Sequence, residues 1–376
     1  MHIETRKKFD AYAARIALLN GVASAALTFA VEPVVGQKFE EKLKETIEFL
    51  SLVSIETPTQ QSGQTLGLES GSIMGRTNTA NNTRRHPVDP TDNGETNTYF
   101  CKQTNFDWAR SYAALDKWRH KPEFQNLLSM AILKQQGRDM IMCGWHGTSR
   151  AAATDRDTYP LLQDVNEGWL HKIRETAPNQ VFDDGNLTVL DDGENDTDTK
   201  AIYVADGVLF DPNAAAHDDP GGASVAEADY SSLDALVRDA LRLIPEWHAD
   251  DTGLTVIIGR NLLDDKYFSI AQKTGATATE VEATDRILRS SKSIGGLPAM
   301  RVPYFPANAI LITRPDNLAI YMQDGTRRRR LVDEPEYDRI ANYESVNMDY
   351  VVEDYEMVAL VENISMGKAP ERPSGD

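Results

Sequence analysis

The feature that most limits how this chain can fold is a polar stretch of nearly forty residues, Gln60 to Asn97. It is rich in Gly, Thr, Asn and Ser, as in ESGSIMGRTNTANNTRRHPVDPTDNGETN. Connections of this length are uncommon inside a compact domain, and ordered ones are usually functional. The pattern predicts a long β-hairpin that projects from the body and returns along Thr98 to Gln103, with Arg76, Arg84 and Arg85 near its tip. A disordered linker is the alternative.

Three stretches have apolar side chains at the 3.6-residue spacing that is typical of helices. The first ends at Gly21, and the second runs from Gln37 to about Leu52. Such an arm cannot bury its apolar face alone, so we expect it to lie on something else, and another subunit is one candidate. The third begins at Pro122 and ends near Gly144, which predicts a spine helix of roughly 30 Å at 1.5 Å per residue.

The second half of the chain changes from mixed structure to mostly β-structure. Helical spacing returns at Leu233 to Leu241 and at Val281 to Ser291. Strands are predicted at Phe106 to Tyr112, Leu254 to Ile258, Ala309 to Thr313, Leu318 to Met322 and in pieces across Ser345 to Ile364. The predicted fold class is therefore α+β, with strands gathered late in the chain.

Composition limits the compartment and the partners. A length of 376 residues suggests two or more packed units. No apolar run approaches the ~20 residues that span a bilayer, so no membrane association is predicted. Cys101 and Cys143 allow one disulfide at most, and reduced thiols are expected. The net charge of −19 weighs against a nucleic-acid binder, because binding of phosphate needs Lys and Arg.

Four consecutive arginines, Arg327, Arg328, Arg329 and Arg330, stand out against that acidic background. Their place after the predicted strand Leu318 to Met322 suggests an exposed turn at an edge. Ion pairing with carboxylates of a neighbouring subunit is one interpretation, since the planar guanidinium suits bidentate contacts. Nucleic acid, a membrane surface and a simply solvated turn are the alternatives.

The chemical motifs do not amount to an enzyme or a metal site. His146 and Ser149 lie close in sequence, but no G-x-S-x-G motif surrounds the serine. Asp192, Glu194, Asp196 and Asp198 alternate as calcium ligands sometimes do, without the glycine that an EF-hand loop requires. They belong to a segment with eleven acidic residues between Asp183 and Asp219, which predicts a solvated surface excursion. No cofactor is predicted.

Several stretches together resemble the major capsid proteins of the peduovirus family of contractile-tailed phages. They include ETRKKFDAYAARIALLNGV, LQDVNEGWLHKIRETAP, IGGLPAMRVPYFPANAILIT, DNLAIYMQ and RIANYESVNMDYVVEDYE. The resemblance runs from about Glu4 to Ile364 and implies the Hong Kong 97-like capsid fold. Its parts would be an N-terminal arm (1–58), an E-loop (59–104), the first part of a peripheral domain with the spine helix (105–160), an axial domain (161–319) with an acidic insertion (183–229), and the second part of the peripheral domain with a tail (320–376).

The resemblance also implies a function. It predicts a structural protein of the virion that is assembled in the host cytoplasm and is not an enzyme. Copies of the chain would form pentamers and hexamers of an icosahedral head around double-stranded DNA, which they would contact without sequence specificity. Further implied partners are a scaffolding protein or protease, a portal protein and, as an optional addition, a decoration protein.

Overall fold

The computed structural model describes residues 1–65, 98–117, 124–185, 188–191, 195–198, 200–205, 228–262 and 293–367. The chain divides into two compact units. Unit 1 comprises Met1–Trp169 and Asp316–Asp354, and unit 2 comprises Leu170–Pro315 and Tyr355–Asp376. Each unit is therefore built from two separate stretches of sequence.

The helices and strands of the described residues follow in chain order. The helices are α1 (Ile3–Leu19), α2 (Pro33–Thr46), α3 (Glu48–Leu52), α4 (Tyr112–Lys117), α5 (Phe124–His146), α6 (Trp169–Thr176), α7 (Leu233–Ala240) and α8 (Glu246–Ala249). The first strands are β1 (Phe29–Ala30), β2 (Ser54–Glu56), β3 (Ser62–Gln64), β4 (Thr98–Phe100), β5 (Lys102–Asn105), β6 (Trp108–Ser111), β7 (Val181–Phe182), β8 (Thr188–Asp191), β9 (Asn195–Asp198) and β10 (Ile202–Val204). The later strands are β11 (Thr255–Ile258), β12 (Ser293–Ile294), β13 (Leu297–Met300), β14 (Ile310–Thr313), β15 (Leu318–Met322), β16 (Arg328–Glu334), β17 (Arg339–Val352), β18 (Ala359–Val361) and β19 (Ile364–Met366).

Unit 1 is organised around a mixed sheet whose long strand is β17. Its order is β1-β16-β17-β15-β2, and β5 and β6 also pair with β17. The strand has 14 residues, and most of its side chains are buried. Successive side chains of a strand point to opposite faces, so β17 contributes to the packing on both sides of the sheet.

The N-terminal arm lies on this same sheet, which covers part of its apolar surface, whereas Leu18 and Leu19 at the end of α1 are exposed. Helix α1 begins after His2, whose side chain accepts a hydrogen bond from the Glu4 N–H, and Gly21 follows its end with a φ of +63°. Ile16 and Ala17 are buried against Leu331, Ile340 and neighbouring apolar side chains of unit 1. Another subunit is not needed for this burial.

Helix α5 confirms the predicted spine helix. Its 23 residues correspond to roughly 34 Å at 1.5 Å per residue. Gly137 lets α2 and α3 approach closely, since an added Cβ would lie 2.5 Å from the Ile47 Cδ1. Gly144 does the same for Trp169, whose ring would lie 2.4 Å from that Cβ. The helix is thus held where glycine removes the steric barrier.

Unit 2 contains a six-stranded sheet in the order β12-β13-β11-β14-β18-β7. Its core is formed by the apolar side chains of β11, β14 and β18 together with α7. Ser232 caps α7 by accepting a hydrogen bond from the Ala235 N–H. A second, two-stranded parallel sheet pairs β10 with β19.

Some sequence predictions need correction. The predicted strand Phe106 to Tyr112 is shorter, because Tyr112 begins α4. The helix predicted from Gln37 to Leu52 is two helices, α2 and α3, because Ile47 has extended backbone angles (φ −133°, ψ 113°). The predicted helix Val281 to Ser291 lies outside the described residues.

Candidate assembly surface

The four arginines are not the exposed turn that their sequence context suggested. Arg328, Arg329 and Arg330 begin strand β16, which pairs with β17 on one side and with β1 on the other. Arg327, just before the strand, is buried, with 8% of its surface exposed. The prediction of an exposed turn was wrong because the run pairs with strands on both sides and its side chains bind Glu344 and Asn342 of β17 and Tyr12 and Ala26 of the arm.

Strand alternation divides the arginines between two faces of the sheet. Arg327 and Arg329 point to the face that carries the N-terminal arm, as does Leu331 in the apolar cluster under α1. Arg328 and Arg330 point to the other face and are exposed. The run therefore supplies two pairs of cations with different surroundings.

Arg327 fastens α2 to the sheet. Its Nη1 lies 3.2 Å from Oε1 of Glu344, and its guanidinium lies over the ring of Phe39 at 4.0 Å. The Val31 N–H donates to its carbonyl oxygen at 2.8 Å. Burial lowers the pKa of Arg327, while attraction to Glu344 raises it. A buried cation needs such compensation, because a charge without a partner is costly in a medium of low polarity.

Arg329 and Arg330 hold the segment that joins α1 to α2. Nε of Arg329 donates to Oδ1 of Asn342 at 2.7 Å, and its Nη2 donates to the Tyr12 hydroxyl at 3.2 Å. Nε of Arg330 donates to the Ala26 carbonyl oxygen at 3.1 Å. The Leu331 N–H adds a backbone bond to the Ala25 carbonyl at 2.9 Å. The small-residue segment is thus attached along the edge of β16.

Asp333, further along β16, fixes the start of the arm. Its carboxylate pairs with Arg6 and accepts a hydrogen bond from the Tyr112 hydroxyl. This hydrogen bond raises the pKa of Tyr112 to about 12. The backbone N–H of His2 donates to Asp116 at 3.0 Å. Polar contacts therefore hold the arm at both of its ends, with an apolar cluster between them.

The base of the predicted E-loop is a two-stranded antiparallel ladder of β3 and β4. Tyr99 in β4 packs on Tyr321 of the sheet, with ring centroids 4.9 Å apart. The Phe100 N–H donates to Asp349 at 3.0 Å, and the Cys101 N–H donates to the Gln61 carbonyl at 2.8 Å. The two chain segments that lead into the loop are therefore anchored in unit 1. Arg76, Arg84 and Arg85 lie outside the described residues, and their role stays a prediction.

The residues considered for chemistry are distributed as follows. Ser149 is exposed, and its backbone N–H donates to the Gln163 carbonyl at 3.0 Å, while His146 ends α5 and is half-buried. Asp196 and Asp198 lie in β9, and Asp192 and Glu194 lie outside the described residues. Across the described ranges there is no group of His, Cys, Asp and Glu suited to a metal ion and no helix long and apolar enough to span a membrane. Both cysteines are buried, and neither takes part in a disulfide.

The sequence did not indicate the partners of the arginine run, which are Tyr12, Asn342 and Glu344, nor the pairing of Asp333 with Arg6. In RIANYES, residues 339–345, the buried Ile340, Asn342 and Glu344 recur at every second position, although Ala341 between them is buried as well. Such a two-residue period indicates a strand with one covered face. It does not indicate that the chain's own N-terminal arm packs on that face.

Comparisons with known proteins agree with this architecture. Residues 8–364 match the family described as phage major capsid protein, P2 family. The chain is 42% identical to the capsid proteins of Escherichia phage P2 over 371 residues, which cover 98% of this chain and 96% of that protein. It is 37% identical to the major capsid protein of Serratia phage KSP20, with 97% of each covered. A chain in a solved satellite phage P4 procapsid that includes the size determination (Sid) protein aligns with a TM-score of 0.74 at 40% identity, covering 98% of this chain and 100% of that one.

Proposed function

The chain belongs to the P2 family of phage major capsid proteins and forms the head shell of a tailed phage, and from this premise we propose how it assembles. Its fold is the α+β, Hong Kong 97-like capsid fold. Copies of the chain form pentamers and hexamers that close into an icosahedral shell around double-stranded DNA. The observation that carries this proposal is the match across nearly the whole chain, in sequence and in structure, to capsid subunits.

Double-stranded DNA is the proposed content of the shell, and its contact with the inner surface is independent of sequence. The net charge of −19 fits a weak contact without sequence specificity, because tight binding of phosphate needs neutralisation by Lys and Arg. Nuclease treatment of purified heads tests the proposal. Protected genome-length double-stranded DNA is the expected result, and heads that contain only protein or single-stranded nucleic acid after infection would contradict it.

The E-loop is proposed to act as a non-covalent clamp on the adjacent subunit. Its base is attached to unit 1 by the β3–β4 ladder and by Tyr99, so force on the loop is carried into the sheet. Arg76, Arg84 and Arg85 would then contact acidic side chains of the neighbour. Repetition over many interfaces makes a modest contact effective.

Deletion of residues 78–92 tests the clamp. The subunit should keep its circular dichroism spectrum and its unfolding midpoint, because the anchoring base is retained. Sedimentation should show that closed shells are lost or greatly reduced. Normal shells from the deletion variant would contradict the clamp, and an unfolded variant would show that the loop belongs to the core.

The remaining proposed partners are those that a phage head needs for its assembly, for its filling with DNA and for its attachment to a tail. A scaffolding protein or protease acts on the inner side during assembly in the host cytoplasm, a portal protein occupies one vertex, and a decoration protein is an optional addition. Intact-mass measurement of the chain from mature heads tests the protease, since trimming of the arm lowers the mass. The family is a structural one and not a class of enzymes, and we propose that the chain itself has no catalytic role.

A further inference from the structure

The face of the unit 1 sheet opposite helix α1 carries a polar groove, which we call the basic groove. Its lining includes Arg328 and Arg330 of β16, Tyr343 and Ser345 of β17, Asn105 of β5 and Thr28 of the segment between α1 and α2. The register places Arg328 opposite Ser345, Arg330 opposite Tyr343 and Ser345 opposite Asn105. These side chains therefore share one face of the sheet.

The cations of the groove have unused binding capacity. Within the described ranges Arg328 forms no ion pair or hydrogen bond through its side chain, and Arg330 uses only Nε, on the Ala26 carbonyl. By contrast, Arg327 and Arg329 on the opposite face are occupied by Glu344, Asn342 and Tyr12. The capacity to recognise an external acid is thus concentrated at two positions.

The composition of the groove selects among acidic partners. Asp107 and the cross-strand pair Arg329 and Glu344 also contribute to its lining. The groove thus has three arginines against two carboxylates, and one of the three, Arg329, is already bound by Asn342 and Tyr12. A run of phosphates gains little from such a mixed charge, since its affinity depends on neutralisation by several cations. A peptide carboxylate with its flanking amides can use the arginines and also the polar side chains of Asn105 and Ser345.

We propose that the basic groove binds an acidic segment of a second copy of this chain. The inference rests on the proposed assembly into a shell. Each copy carries 58 acidic and 39 basic residues, so copies repel one another at long range. Contacts between copies must therefore place the few available cations against carboxylates, which gives an interface its register and its dependence on salt.

The decisive experiment is a site-directed cross-link within assembled shells. Ser345→Cys introduces a thiol in the groove, and Cys101 and Cys143 are buried, so a thiol-reactive benzophenone labels the new position selectively. Labelled subunits are assembled with an excess of ¹⁵N subunits, irradiated and digested. We expect a cross-link from the groove to an Asp- or Glu-rich ¹⁵N peptide. Cross-links within one copy only, or to nucleic acid, overturn the proposal.

Charge variants test how much the arginines of the groove contribute to the free energy of assembly. The double variant Arg328→Ala/Arg330→Ala should need about two- to fivefold more protein for assembly at low salt, as expected for exposed ion pairs. The difference should shrink in high salt, because exposed pairs are screened. Arg328→Lys/Arg330→Lys keeps the charges and should recover most of the assembly. Arg242→Ala, which removes an arginine with 83% of its side chain exposed, is the matched control.

The outcomes separate the groove from the shell itself. If the unmodified chain does not assemble, this result contradicts the proposed shell, and neither experiment then tests the groove. If the unmodified chain and the double alanine variant assemble equally well at low salt, only the groove is wrong. Equal assembly with less packaged DNA would assign the groove to phosphate and would also overturn the proposal.

Discussion

Replacing Arg327 by Met should detach the N-terminal arm from the sheet at the cost of considerable stability. The substitution leaves Glu344 buried without its cation, since both side chains are at most 10% exposed. It also removes the cation over the Phe39 ring, although the Met side chain keeps some apolar contact there. The exposed Arg328, one residue further, offers a matched control in the same strand.

The magnitude follows from the burial of the pair. Removing one partner of a buried ion pair typically lowers the free energy of unfolding by about 3–5 kcal/mol, because the other charge stays desolvated. Retained packing by Met puts the expected loss near the lower end, about 3 kcal/mol. Arg328→Met should change stability by no more than about 0.5 kcal/mol, as for ordinary surface positions.

Urea unfolding of the unassembled subunit, followed by tryptophan fluorescence, measures these differences. The double variant Arg327→Met/Glu344→Leu should recover most of the loss, since replacing both charges removes the desolvated carboxylate. Limited proteolysis should cut the arm of Arg327→Met faster than that of Arg328→Met. A loss no larger than that of the control, or no recovery in the double variant, would refute the role given to Arg327.

Three further perturbations test other parts of the structure. Burial raises the pKa of the Glu40 carboxyl despite attraction from Arg327 and Lys44, so this carboxyl lowers the free energy of unfolding as pH rises from its unfolded pKa, about 4.3, through the folded value. The variant Glu40→Gln should therefore be more stable than the parent at pH 8 and equally stable at pH 4. Urea midpoints of the two proteins that do not converge at low pH would contradict this. Burial raises the pKa of the Cys143 thiol to about 12, so its alkylation at pH 8 should be slow until guanidinium unfolds the chain, and rapid labelling of the native protein would be the contrary result. Gly144→Ala should lower the free energy of unfolding by about 1–3 kcal/mol, because the added Cβ overlaps the buried Trp169 ring. In the control Gly36→Ala in α2 the added Cβ meets nothing within 4 Å, so this variant should raise the free energy of unfolding by about 0.5–1 kcal/mol. A urea midpoint of Gly144→Ala equal to that of the parent would contradict the packing argument.

The elements that were predicted well are those whose pattern is local. Apolar spacing after Phe124 found α5, and the continuous apolar run Leu318–Met322 found β15 with its observed bounds. Their own side chains determine both period and length, so no distant contact is needed to recognise them. Gly21 likewise indicated the end of α1 by itself.

The arginine run shows what local reasoning cannot supply. Consecutive charges disfavour a strand in isolation, yet β16 is stabilised by cross-strand partners such as Glu344 and by Tyr12, which is more than three hundred positions away in sequence. The same contacts cover the face of α1 that the sequence left without a partner. Which surface covers an amphipathic helix depends on the whole fold, and no property of the helix itself reveals it.

The most direct test of the central claim is a cryo-electron microscopy reconstruction of particles assembled from this chain. We expect closed icosahedral shells in which copies of units 1 and 2 fill five- and sixfold capsomers, with the chain's own arm on the β16 edge and each E-loop reaching the adjacent copy. Particles without such capsomers, or a chain that stays monomeric under conditions in which its relatives assemble, would contradict it.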